Sequence, residues 1–454
     1  MTLEKKTLAF LGEALQILES GFKGLPEFSP RIDLDGIKGV LMDVAKRMQE
    51  NYPYPHPMYI GQMLKPPHPM ARLAYMLSLW INPNNHALDG GRCSSAMEKE
   101  AVAQIAGMFG WKSHLGHLCG GGTLANMEAL WISGSLFPGK KIVASQQAHY
   151  THQRLCGVLG IPFEAIPCDS KGRMNMKALE KALANGDIGT VVATIGTTAT
   201  GSVDPLQKIL ELRERYPFRI HADAAYGGYF ILSDNLYSET KAAYDCLGTA
   251  DSIVIDPHKH GLQPYGCGCV LFRDASVGRF YKHDSPYTYF TSRELHLGEI
   301  SLECSRAGAS AVALWATQRL LPLVPGGAFA ADLARCRKAA LAFYARLEED
   351  SRFLTAFAPE LDIVIWAPKR KRASEASNLA AELFDAAAEE NLHMAKANLP
   401  KSLFMDYWPD FEWDQEHLTC LRSCFMKPEH LEWIERIYAV LDKATNRVLK
   451  GRTS

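Results

Sequence analysis

The sequence lacks several features that would direct it to a membrane or a nucleic acid. No apolar run approaches the roughly 20 residues needed to span a bilayer. The opening stretch, MTLEKKTLAFLGEALQILES, carries acids inside its apolar pattern, unlike the unbroken core of a secretory leader. Neither sign of charge is in excess: 49 Lys and Arg against 50 Asp and Glu leave a formal charge of -1, so no global field favours a polyanion or an anionic surface. The eleven cysteines are scattered, and the closest pair, Cys267 and Cys269, lies in a strand-like run without metal-site spacing. They read as reduced thiols of a cytoplasmic chain. No internal repeat or low-complexity tract is present. These absences leave a small molecule, or a second copy of the chain, as the expected partner.

What is present is enough apolar sequence for a substantial core, 47% of 454 residues. Residues 1–55 hold two helical patterns, at 8–18 and 34–48, joined by a Gly/Pro-containing turn; the segment is too short to form a core of its own. Over 56–325, short apolar runs (KIVASQ, PFEAIP, GTVVATIG, FRIHADA, DSIVIDP, GCVLFR) read as strands alternating with helices such as 176–184 and 206–215. That alternation predicts an α/β class with a mostly parallel sheet and ligand chemistry at the strand carboxyl ends. Residues 326–454 read as a smaller α+β domain: a helix near 330–349, a strand at 361–366, a strand-like LTCLRSCFM and a closing helix from His430.

Four short segments of the middle region carry chemistry. Asp256-Pro257-His258-Lys259 follows the strand DSIVI. A lysine at a strand end is ordinarily solvated, but Pro257 fixes the turn and the chain returns at once into a buried strand, which predicts a sequestered Lys259. A sequestered amine deprotonates more readily and can form an imine with an aldehyde cofactor. Asp223, at the end of FRIHAD, is followed by Ala and Gly residues that admit a flat ligand, and a buried carboxylate there can keep a ring nitrogen protonated. Gly120-Gly121-Gly122-Thr123 opens a helical pattern, where free backbone N–H groups and the helix dipole suit a phosphate. His149, just after KIVAS, can stack on a cofactor ring, and His152 is its confusable neighbour.

Together these residues resemble the group II pyridoxal phosphate-dependent amino acid decarboxylases, the family of the aromatic amino acid, tyrosine and glutamate decarboxylases. The resemblance rests on the Gly-Gly-Thr turn at 121–123, His149, the Asp-Ala-Ala-Tyr-Gly-Gly run from Asp223 and Asp-Pro-His-Lys at 256–259. It extends through PPHPMARLAYMLSLWINPNN, SSAMEKE and SLECSRAGASAVALW to LRSCFMKP at 421–428, nearly the whole chain. It implies pyridoxal 5'-phosphate as cofactor, with Lys259 as Schiff-base lysine and Asp223 at the ring nitrogen. His149 and Ala225 would lie on opposite ring faces, with Gly121, Gly122, Thr123 and His258 around the phosphate. Arg422 would meet the substrate carboxylate, and Tyr59, Gln62 and His68 would lie near the substrate side chain. Tyr287 or Tyr289, in HDSPYTYFTSRE, would deliver the proton that replaces carbon dioxide. The fold implied is fold type I, a seven-stranded large-domain sheet with a small C-terminal domain, in a homodimer wrapped by the N-terminal arm. The substrate implied is an L-amino acid, aromatic such as tyrosine or acidic such as aspartate or glutamate. Alternatives are a carbon–carbon lyase resembling sphingosine phosphate lyase, which shares Ser-Arg-x-Gly at 305–308, an aminotransferase, and a non-catalytic cofactor binder.

Overall fold

The computed structural model describes residues 5–26, 28–29, 31–282 and 296–451. Its centre is a seven-stranded sheet in the order β1-β7-β6-β5-β4-β2-β3. The strands are β1 (Leu115–Cys119), β2 (Lys141–Ser145), β3 (Phe163–Ile166), β4 (Ile188–Thr194), β5 (Arg219–Asp223), β6 (Ser252–Ile255) and β7 (Gly268–Phe272). β7 runs antiparallel to both its neighbours, and the other adjacent pairs are parallel. Helices cover both faces, so the strands are continuous apolar runs rather than alternating ones; all seven residues of β4 are buried. The six runs read as strands in the sequence are strands. β1 is the one that reading omitted.

Because β1 is antiparallel to β7, which is antiparallel to β6, six strands point the same way. Their carboxyl ends form one rim. The segment after β1 starts a helix at Gly122, β2 leads to His149, β4 ends at Thr194, β5 ends at Asp223, and β6 runs into Asp256. This is the edge at which open α/β sheets bind ligands.

A second, antiparallel sheet has the order β10-β11-β9-β8: β8 (Phe353–Thr355), β9 (Ile363–Pro368), β10 (Ala395–Pro400) and β11 (His417–Cys424). Helices Ala328–Glu348, Ala373–Glu389 and His430–Gly451 pack on it. It is tied to the large sheet through Asp362, whose carboxylate accepts from Tyr226 Oη at 2.6 Å and lies 3.0 Å from His260 Nε2, all three buried. The N-terminal helices Lys5–Ser20 and Leu34–Met48 bury a single residue between them, Leu11. No helix among the described residues is long and apolar enough to cross a membrane.

Candidate active site

The rim encloses a cavity of about 580 Å³, lined by residues from five strand ends, among them Gly121, Thr123, His149, Asp223, Ala225 and Lys259. That volume suits a cofactor with a small substrate. Lys259 Nζ lies 3.1 Å from Asp256 Oδ2, with the lysine side chain 22% exposed and the aspartate 3%. Lys259 therefore reaches the cavity from a fixed base rather than from open surface. His258 donates from Nδ1 to the Cys267 carbonyl at 2.8 Å, leaving Nε2 toward Asp256 at 3.6 Å. Burial pulls the His258 imidazole down, with Asp256 opposing.

Asp223 is buried at the end of β5. Its Oδ1 accepts from the Ala225 N–H at 3.2 Å and its Oδ2 lies 2.8 Å from His152 Nε2. Burial acts to raise this carboxyl, but the His152 hydrogen bond, helped by Lys259, holds it well below the usual carboxylate range. Behind it, His221 Nε2 bonds Asn126 Oδ1 at 2.8 Å and Nδ1 bonds Ser252 Oγ at 2.9 Å. Complete burial pulls this ring down to about 3, so it is neutral. His149 is half-buried, accepts from Thr151 N–H at Nδ1 (3.3 Å), and lies against Tyr150 at 4.4 Å between centroids with the rings tilted by 32°. Burial lowers its pKa as well.

The glycine turn has the geometry a phosphate needs. Gly121 has φ +141°, a backbone conformation L side chains rarely adopt, and a Cβ on Gly122 would stand 2.6 Å from Asp256 Oδ2. The helix Gly122–Leu136 begins with no side-chain cap on its N–H groups. An uncapped helix start that suits an anion, a buried carboxylate and an amine lining one cavity fit pyridoxal phosphate. Gly121, Gly122 and Thr123 would hold the phosphate, Lys259 the aldehyde carbon and Asp223 the ring nitrogen.

Arg422, on β11, is buried and set one layer behind the wall. It donates from Nε to the Ala199 carbonyl (3.1 Å), from Nη2 to the Thr198 carbonyl (2.8 Å) and from Nη1 to Gln62 Oε1 (3.1 Å). Thr198 itself lines the cavity. Tyr59, expected near the substrate, is instead 4% exposed within an aromatic group with Tyr54 and His393, its hydroxyl accepting from the Gln62 N–H at 3.1 Å. Its ring supports Gln62 rather than lining the cavity. His68 caps the helix Pro69–Ser78, accepting from Met70 N–H at 3.1 Å, and faces a separate proline-walled cavity. Tyr287 and Tyr289 lie outside the described residues. The sequence reading gave no role to Asp256 and set His152 aside. Asp256 was detectable as the acid closing β6, but His152 is distinguished only by the helix that turns it inward.

Residues 133–369, which hold His149, Asp223 and Lys259, match the family described as the pyridoxal-dependent decarboxylase conserved domain. An L-tyrosine decarboxylase of Enterococcus faecium is 28% identical, the match covering 58% of this chain and 60% of that one. An L-aspartate decarboxylase of Thermococcus kodakarensis is 29% identical, over 61% of this chain and 71% of that one. The chain thus spans about 60% of the length of the curated tyrosine decarboxylases it matches. The crystal structure of Oryza sativa TDC with PLP and tryptamine superposes with a TM-score of 0.78 at 15% identity, covering 97% of this chain and 96% of that one, a likeness of fold. A site built around Lys259 and Asp223, inside a match that takes in more than half the chain, places this protein in the pyridoxal-dependent decarboxylase family, with pyridoxal phosphate as its cofactor.

Proposed function

We propose that this chain is a cytoplasmic, homodimeric decarboxylase that converts an aromatic or acidic L-amino acid, such as tyrosine, aspartate or glutamate, to its amine and carbon dioxide. The observation that carries the reading is the convergence of Lys259, Asp256, Asp223 and the uncapped helix start at Gly122 on one cavity. Tyrosine and aspartate decarboxylases among the relatives supply the two substrate classes. Because those relatives are decarboxylases, the lyase and aminotransferase alternatives are not favoured.

When bound, pyridoxal phosphate supplies an electron sink for the pair released as carbon dioxide leaves. The chain's part is placement. Asp256 holds the Lys259 amine at the cavity edge, and Asp223 would keep a proton at the ring nitrogen. His149 and Ala225 would hold the ring between them. Three of the five Arg422 N–H groups are taken by Thr198, Ala199 and Gln62, and the remaining two are assigned to the substrate carboxylate. Tyr287 or Tyr289 is assigned the delivery of the final proton.

The homodimer is supported by the N-terminal arm. Leu8, Phe10 and Ile17 on one helix and Leu34, Ile37, Val40 and Leu41 on the next are each about half exposed or more. Apolar faces this long are covered in a stable protein. A second subunit is the occupant proposed.

Borohydride reduction of the yellow holoprotein should fix the cofactor to the peptide containing Lys259, and Lys259→Ala should abolish turnover while the fold persists. An amino acid panel scored for carbon dioxide against keto acid and aldehyde then identifies reaction and substrate. A label on another lysine, or keto acid as the main product, would overturn the proposal.

A further inference from the structure

His152 has no part in the function proposed so far. It sits in the first turn of the helix Thr151–Leu159, completely buried, with Nε2 2.8 Å from Asp223 Oδ2. Its Nδ1 is buried and has no hydrogen-bond partner among the described residues. A protonated ring would strand an N–H at that position, whereas the tautomer with hydrogen on Nε2 strands only a lone pair. Nε2–H therefore donates to Oδ2 while the Ala225 N–H serves Oδ1, one donor on each carboxylate oxygen. The nearest ring behind it is His221, 6.4 Å away between centroids and nearly edge-on. His221 is held by Asn126 and Ser252 and does not compete for Asp223.

We infer that His152 is a positioning residue whose N–H keeps Asp223 ionised, so that the proton these groups share with the cofactor stays on the ring nitrogen. The inference rests on the reading that Asp223 faces that nitrogen. The proton has two resting places: the ring, facing a carboxylate, or Asp223, facing a neutral ring. A donor on Oδ2 stabilises the first through a charge-assisted bond and the second only weakly. Removing the donor shifts the distribution toward the second by roughly ten- to a hundredfold. His152 does not itself line the cavity, so its effect reaches the cofactor through Asp223.

The test uses holoprotein loaded with cofactor carrying ¹⁵N in the ring, in wild type, His152→Phe, His152→Asn and His152→Gln. Phe keeps the ring shape without a donor. Asn is too short to reach Oδ2, and Gln places an amide N–H where Nε2 stood. The expected result is that Phe and Asn move the ¹⁵N resonance toward its unprotonated position and lower kcat by roughly ten- to a hundredfold with KM little changed. Gln should restore both. A wild-type resonance and kcat in Phe and Asn would overturn the inference, as would a Gln variant that behaves like Phe. Borohydride labelling of Lys259 in every sample separates the two levels: an unlabelled wild type overturns the functional reading and takes this inference with it.

Discussion

Lys427 is a buried amine whose cost is readable in the pH dependence of stability. It is 4% exposed, and its ammonium finds one acceptor among the described residues, the Tyr59 carbonyl at 2.8 Å, above the face of the Tyr59 ring. Burial, with Lys65 adding repulsion, pulls its pKa down to about 7. In an unfolded chain a lysine titrates near 10.4. Between about 7 and 10.4 the unfolded chain binds one proton more than the folded one, so stability rises with pH there, by at most about 1.4 kcal/mol per pH unit. Below pH 7 both forms are protonated and the whole penalty, about 4–5 kcal/mol at its ceiling, is present. Lys427→Met keeps the stem and removes the charge, losing about 1 kcal/mol with the bond to Tyr59. The variant should therefore melt higher than wild type at pH 6, by roughly 3–4 °C at about 1 °C per kcal/mol for a chain of this size. The advantage should shrink steadily and vanish or reverse by pH 10. Thermal midpoints of the two holoproteins from pH 6 to 10 measure this. Parallel curves would show that the Lys427 amine is not desolvated and that the segment carrying Tyr59 and Gln62 is held in some other way.

Two further outcomes are expected. Asp223→Asn leaves the Gly121–Gly122 turn and Lys259 intact but removes the carboxylate from the ring-nitrogen end, so kcat should fall by orders of magnitude with a smaller loss of cofactor affinity, read by steady-state kinetics and absorbance titration. Near-normal turnover would make Asp223 a structural cap. Deleting residues 1–50 removes both exposed apolar helices and should give aggregates or inactive monomers depleted of cofactor in sedimentation and absorbance measurements. A truncated chain that is monomeric, loaded and active would refute the dimeric reading.

The residues proposed to hold the cofactor were legible as candidates because each is bound to its secondary structure by a few neighbouring residues. Lys259 follows a buried apolar run and a proline, Asp223 closes another run, and the glycines 120–122 precede a helical pattern; strand ends and helix starts are local properties, and in a parallel sheet they meet on one rim. β1 was not legible for the converse reason. Leu-Gly-His-Leu-Cys has two leucines and no β-branched residue, and it becomes a strand only through its register with β7, from Leu115 against Phe272 to Cys119 against Gly268.

His149 and His152 mark the boundary most clearly. Both follow β2 in Ala-His-Tyr-Thr-His, and either imidazole could meet the cofactor on chemical grounds alone. The helix Thr151–Leu159 separates them: His149 stands before it with its ring toward the cavity, whereas His152, in the first turn, is rotated under the sheet to Asp223, 71 residues later in the chain. Arg422 and Gln62, 360 residues apart, pose the same problem at longer range. Such pairings depend on which face of one element meets which end of another, a property of the packed sheet and helices. Sequence motifs can therefore nominate the groups that would touch a cofactor, while a partner brought in from another element, such as His152 beside Asp223, becomes visible only when the distances between them are known.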